Sequence, residues 1–150
     1  MSMPVVAPGF YRIRNLGTNQ YLALEGGYAS PGQKTALKSY SQEASHRWMV
    51  EYLGQGAYRV RPSANHQIQL EPGIPATRRT NPVLEVNVES GFLWHFGETP
   101  TGQGVFMVQY NEQDQVAEAD PVASNVMLND LTTVPARDNV NQMWIFEVAP

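Results

Sequence analysis

One pattern recurs three times along this 150-residue chain, and it limits the possible folds more than any other feature. GFYRIR starts at Gly9, GAYRVR at Gly56 and GVFMVQ at Gly104, so the starts lie 47 and 48 residues apart. The three tryptophans, Trp48, Trp94 and Trp144, follow those glycines by 39, 38 and 40 residues. Two residues past each stands an apolar partner: Val50, Phe96 and Phe146. Counting from the glycines aligns Tyr11, Tyr58 and Phe106, then Ile13, Val60 and Val108. Leu24-Glu25, Leu70-Glu71 and Ala119-Asp120 follow, and then Ala36-Leu37, Val83-Leu84 and Met127-Leu128. Four landmarks in one order, three times over, are a repeat.

Each unit holds about four short apolar segments with period-two spacing, as in Tyr11/Ile13, Tyr21/Ala23 and Trp48/Val50. Alternation of that kind marks strands with one buried face. Eleven prolines and twelve glycines, mostly between the segments, supply turns and oppose long helices. Three blades are too few for a closed propeller, and an open stack needs capping units. Twelve strands in three equivalent units instead fit a barrel with a hairpin cap. The expectation is therefore an all-β chain, a β-trefoil with pseudo-threefold lobes at about 9–55, 56–103 and 104–148 of a single 1–150 domain. The tryptophans should fill its shared core.

Composition narrows the function. The net charge is −4 and the ten Lys and Arg are scattered, which opposes nucleic-acid binding. Cysteine is absent, excluding disulfides and thiolate metal sites and favouring a reducing compartment. MSMPVVAPG has neither a basic n-region nor an apolar h-region, and no apolar run approaches membrane-spanning length. A cytoplasmic protein, or one exported unconventionally, is expected, as a monomer or homodimer without membrane insertion. No hydrolase elbow, phosphate loop or H-E-x-x-H motif is present, and His46, His66 and His95 fall at unlike lobe positions. Neither an enzyme nor a metal or other cofactor is expected.

G-x-Y-x-I-x-N over Gly9–Asn15, Gln20-Tyr-Leu-Ala-Leu-Glu-Gly-Gly27, and a tryptophan closing the unit resemble the ricin-B-type β-trefoil family. The likeness is greatest to its small single-domain mushroom members. Asn141-Gln142-Met143-Trp144 is similar to that family's Q-x-W signature, while Trp48 and Trp94 keep only the tryptophan. The resemblance implies a lectin with a shallow site per lobe: an acid after the second strand, a ring after the third, and a polar group before the closing tryptophan. In the first lobe those roles go to Glu25 with Gly26 and Gly27, to Tyr40 beside Lys38, and to His46. The second lobe offers Glu71 and Asn87; the third offers Asp120, Asn129, Asn141 and Gln142. The implied partner is a galactose- or N-acetylgalactosamine-type glycan, in a defence role.

A protease inhibitor is the alternative. Pro72–Pro82 and Leu131–Asp138 interrupt the repeat, are stiffened by proline, and carry Arg78, Arg79 and Arg137. A rigid exposed loop enters a protease cleft with little ordering cost.

Overall fold

The computed structural model describes residues 6–73, 81–88, 91–100, 102–131 and 140–149, with the backbone alone at Gln113. Arg78, Arg79 and Arg137 lie outside the described residues. The strands are β1 (Gly9–Asn15), β2 (Tyr21–Leu24), β3 (Gln33–Lys38), β4 (Trp48–Gly54), β5 (Ala57–Pro62) and β6 (Ile68–Pro72). They continue with β7 (Leu84–Val88), β8 (Trp94–Glu98), β9 (Val105–Gln109), β10 (Glu112–Asp120), β11 (Asn125–Asp130) and β12 (Trp144–Val148). No described helix is long and apolar enough to cross a membrane.

Six strands close into a ring. β1 pairs with β4, β4 with β5, β5 with β8, β8 with β9, β9 with β12, and β12 returns to β1. Closure removes the open edges that an all-β chain must otherwise protect. The remaining strands form three hairpins, β2–β3, β6–β7 and β10–β11, one per lobe. The hairpins meet at Thr35: its buried hydroxyl donates to the Leu84 carbonyl at 2.8 Å and accepts from the Val126 amide at 3.3 Å. Leu84 and Val126 occupy the matching positions of the other two hairpins. The architecture is a β-trefoil, as the repeat implies.

The tryptophans mark the pseudo-threefold axis. Trp48, Trp94 and Trp144 are all fully buried. Each indole donates to a carbonyl of its own lobe's hairpin: Leu22 at 2.9 Å, Leu70 at 3.0 Å and Ala117 at 3.1 Å. An indole N–H sealed in a core needs such an acceptor, and the fold supplies it three times. Below them Tyr58, Phe96 and Phe146 pack with ring centroids 4.3 and 5.0 Å apart.

Strand pairing corrects the third copy of the repeat. Phe146 pairs with Ile13, Val50 with Val60, and Phe96 with Met107. The equivalents of Tyr11 and Ile13 in the third lobe are thus Val105 and Met107, not Phe106 and Val108. The run Val105-Phe-Met-Val108 is apolar at every position, so alternation could not say which face turns inward. Both faces are buried. Phe106 and Val108 point away from the barrel and pack with Val116 and Met143 in a separate small cluster.

Candidate functional site

The three indole bonds fix the register of the hairpins. Setting Leu22, Leu70 and Ala117 equivalent makes Ala23, Glu71 and Glu118 the next matched set. Cross-strand pairing then matches Lys38, Asn87 and Asn129, through Tyr21, Gln69 and Val116. Two residues before each tryptophan stand His46, Phe92 and Gln142. Each lobe therefore presents one residue from its second strand, one from its third and one before its fourth. The three sets differ in chemistry.

The third lobe assembles a polar cluster. Gln142 is buried, and its amide donates to Glu118 Oε1 at 2.7 Å and to the Asp130 carbonyl at 2.8 Å. Asn129 donates to both Glu118 oxygens, at 3.3 and 3.4 Å. Its own side-chain oxygen accepts the Asp130 amide at 2.8 Å, which fixes the orientation of the group. An ionised carboxylate has about four lone-pair sites, so two amide donors orient Glu118 and leave acceptor capacity for a ligand hydroxyl. The second strand delivers Glu118 and the third Asn129. The short 3-10 turn Val140–Gln142 delivers Gln142, directly before the buried tryptophan.

The second lobe has the acid without the arrangement. Glu71 is buried and pairs across the hairpin with Glu85, and Asn87 donates to Glu85 at 2.9 Å. Phe92 stands where the third lobe has Gln142 and packs edge-on against Trp94, 4.9 Å away. In the first lobe Ala23 replaces the acid, leaving Lys38 and His46 without a carboxylate between them.

These positions revise the residues expected from the sequence. Glu71 is not the counterpart of Glu25 and Asp120; it matches Ala23 and Glu118. Glu25, Gly26 and Gly27 form an exposed turn at the hairpin tip, where the Gln33 amide donates to the Glu25 carbonyl. Gly26 and Gly27 have φ of 75° and 82°, a region that favours glycine, so the turn accounts for both. Tyr40 lies beyond the other end of the same hairpin, next to Tyr21. The structure does not bring Glu25 and Tyr40 together. Asp120 serves its own turn, accepting the amides of Val122 at 3.0 Å and Ala123 at 3.2 Å. The Asn141 carbonyl receives the Asn15 side chain at 2.9 Å, tying the first strand to the third lobe. Asn129 and Gln142 do converge. Glu118 was missed because counting back from the tryptophans favours Asp120: Glu71, Asp120 and Glu118 lie 23, 24 and 26 residues before theirs.

Residues 4–71 match the family described as the ricin-type beta-trefoil lectin domain-like family. The agglutinin of Rhizoctonia solani superposes with a TM-score of 0.77 at 14% identity, covering 99% of this chain and all of that one. This chain is a β-trefoil whose residues 4–71 resemble the ricin-type lectin domains. The Macrolepiota procera ricin B-like lectin, solved with lactose, gives a TM-score of 0.74 at 15% identity over 98% of this chain and 100% of its own. The designed threefold-symmetric protein ThreeFoil gives 0.76 at 19% identity over 94% and 99%. No curated protein matches in sequence. Among the described residues of this trefoil, no group of three or more His, Cys, Asp or Glu could hold a metal ion.

His46 carries a testable consequence of its burial. It is 2% exposed, and its Nδ1 has no hydrogen-bond partner among the described residues. Burial lowers its pKa below the ordinary 6.5; Glu43 opposes the shift, and Lys38 and Arg12 reinforce it. The unfolded chain therefore takes up this proton first as the pH falls. Stability due to neutral His46 is complete above about pH 6.5 and is lost as the pH drops through the folded-state value. Urea midpoints of the wild type should fall below about pH 6.5 more steeply than those of His46→Gln. Parallel profiles for the two proteins are the contrary result.

Proposed function

We propose that this trefoil is a non-enzymatic carbohydrate-binding protein whose working site is the third-lobe cluster of Glu118, Asn129 and Gln142. The observation that carries this reading is the oriented carboxylate. Glu118 is held by two side-chain amides, partly shielded from water, at the surface position where its lobe's second, third and fourth strands converge. Charge-assisted acceptors of this kind suit the vicinal hydroxyls of a neutral sugar. The lectin-like description of the matched family and the lactose complex of the Macrolepiota protein support a galactose- or N-acetylgalactosamine-type ligand. Glu118 is oriented by Asn129 and Gln142 rather than by a metal ion, so the proposed binding needs none.

A glycan array in the presence of a chelator tests this. The expected result is saturable binding to terminal galactose or N-acetylgalactosamine, unchanged by the chelator. A blank array rejects the proposal. A blank array together with trypsin inhibition moves the function to the loops carrying Arg78, Arg79 and Arg137.

A further inference from the structure

The third-lobe cluster holds a charge that has no counter-ion among the described residues. Glu118 is partnered by the neutral amides of Asn129, at 3.3 and 3.4 Å, and of Gln142, at 2.7 Å. No lysine, arginine or histidine among the described residues forms an ion pair with it. Glu147 and Glu51 are treated differently. Glu147 receives Arg14 at 3.0 Å, and Glu51 lies 3.5 Å from Arg61 and 3.8 Å from Arg59. Two amides orient Glu118 without neutralising it. It is half-buried rather than sealed, so a ligand can reach its remaining lone pairs.

The charge around the site has the same sign. Residues 104–148 hold seven Asp and Glu and one basic residue, Arg137, whereas residues 9–55 hold five Lys and Arg against three Glu. Strand alternation puts Asp114 and Asp120 on the Glu118 face of β10. A surface of one sign draws in ligands of the other. The site also lacks a flat apolar wall. Two residues past Lys38 in the first lobe stands the exposed ring of Tyr40; two past Asn129 in the third stands Leu131, packed against the outer apolar cluster. With no ring at that position to cover the C–H face of a sugar, binding here has to come from hydrogen bonds and charge.

We infer that the third-lobe site takes a sugar with a free amine, a hexosamine whose ammonium is held by Glu118, in preference to its N-acetylated form. The inference rests on the reading of this cluster as the sugar site and narrows it to a ligand class. An ammonium brings three donors and a full positive charge to the carboxylate, where a hydroxyl brings one donor and no charge. N-acetylation removes the charge and leaves a single N–H. The amine thus supplies the counter-ion that the fold gives to Glu147 and Glu51 but not to Glu118.

The test is a titration of the 15N-labelled full chain with D-galactosamine, followed by amide shifts, with N-acetyl-D-galactosamine and ethanolamine as parallel arms. D-galactosamine should shift the amides of Asn129 and Gln142 saturably. At low salt it should bind at least about tenfold more tightly than N-acetyl-D-galactosamine, the usual gain of a charged over a neutral hydrogen bond. Added salt should narrow that gap, because ions screen the attraction. Glu118→Gln should bring D-galactosamine down to the level of the N-acetylated sugar. Circular dichroism checks that the variant is folded, and the wild-type comparison of the two sugars keeps the test decisive if it is not. N-acetyl-D-galactosamine bound as tightly as D-galactosamine overturns the amine assignment and leaves the third lobe as the sugar site. A preference for the amine that survives Glu118→Gln overturns the role of this carboxylate. Ethanolamine bound as tightly as D-galactosamine reduces the cluster to a simple cation site and overturns the sugar assignment. Absence of shifts with every ligand overturns both the inference and the reading beneath it.

Discussion

Replacing Trp144 with alanine is expected to lower the free energy of unfolding by about 3–5 kcal/mol, the range for large aromatic truncations in packed cores. Trp144 is completely buried, and its indole donates to the Ala117 carbonyl at 3.1 Å. Truncation opens a cavity that a closed barrel cannot easily collapse into, and it strands that carbonyl without a donor. Trp144 also joins the last strand to the ring, pairing with Asn15 of β1 and Val105 of β9. Urea unfolding followed by circular dichroism measures the loss. Trp48 and Trp94 make the same bond in their own lobes, so their alanine variants should lose comparable stability. A change below about 1 kcal/mol for Trp144→Ala, of the size seen for surface substitutions, would falsify the packing described here.

Glu118→Gln is expected to weaken galactose-type binding at least about tenfold while leaving the fold intact, because an ionised acceptor is worth roughly twice a neutral one. The substitution keeps the volume, and a glutamine oxygen can still accept from Asn129 and Gln142. What it loses is the charge offered to a sugar hydroxyl, and one acceptor atom becomes a donor. Isothermal titration with lactose reads the effect. Tyr40→Ala, which the family resemblance alone would place in the sugar site, should leave lactose affinity unchanged, since Tyr40 sits at the far end of the first-lobe hairpin. Undiminished lactose binding by Glu118→Gln removes the third lobe from the proposed function. Loss in both variants would indicate binding at two lobes.

Some of this molecule is readable in its residues without any coordinates. The recurrence of tryptophan, the period-two spacing and the turn-rich punctuation demand short strands in three copies, and a three-copy strand protein without edges closes as a trefoil. The signal is strong because burial of a tryptophan in each lobe constrains the residue type itself. Asn129 and Gln142 were also singled out by the sequence, the latter through the Q-x-W signature, and the fold brings them together on Glu118.

Register was not legible, and only the tertiary structure decided it. Side chains alternate along a strand, so a slip of one residue exchanges its faces and a slip of two moves a site by a full step. In Val105-Phe-Met-Val108 both faces are apolar, because Val116, Met143 and the partly buried Leu16, Leu131 and Val140 cover the outer one, and the alternation signal vanishes. In the hairpins, turns of unequal length shift the acids against the tryptophans, so counting selects Asp120 where geometry selects Glu118. The mark of the correct register is a hydrogen bond from each indole to a carbonyl 24 to 27 residues away, as in Trp94 to Leu70 and Trp144 to Ala117. A backbone carbonyl looks the same behind every side chain. The sequence therefore determined which residues must be buried and how many times, while long-range strand pairing determined which polar groups meet at the surface.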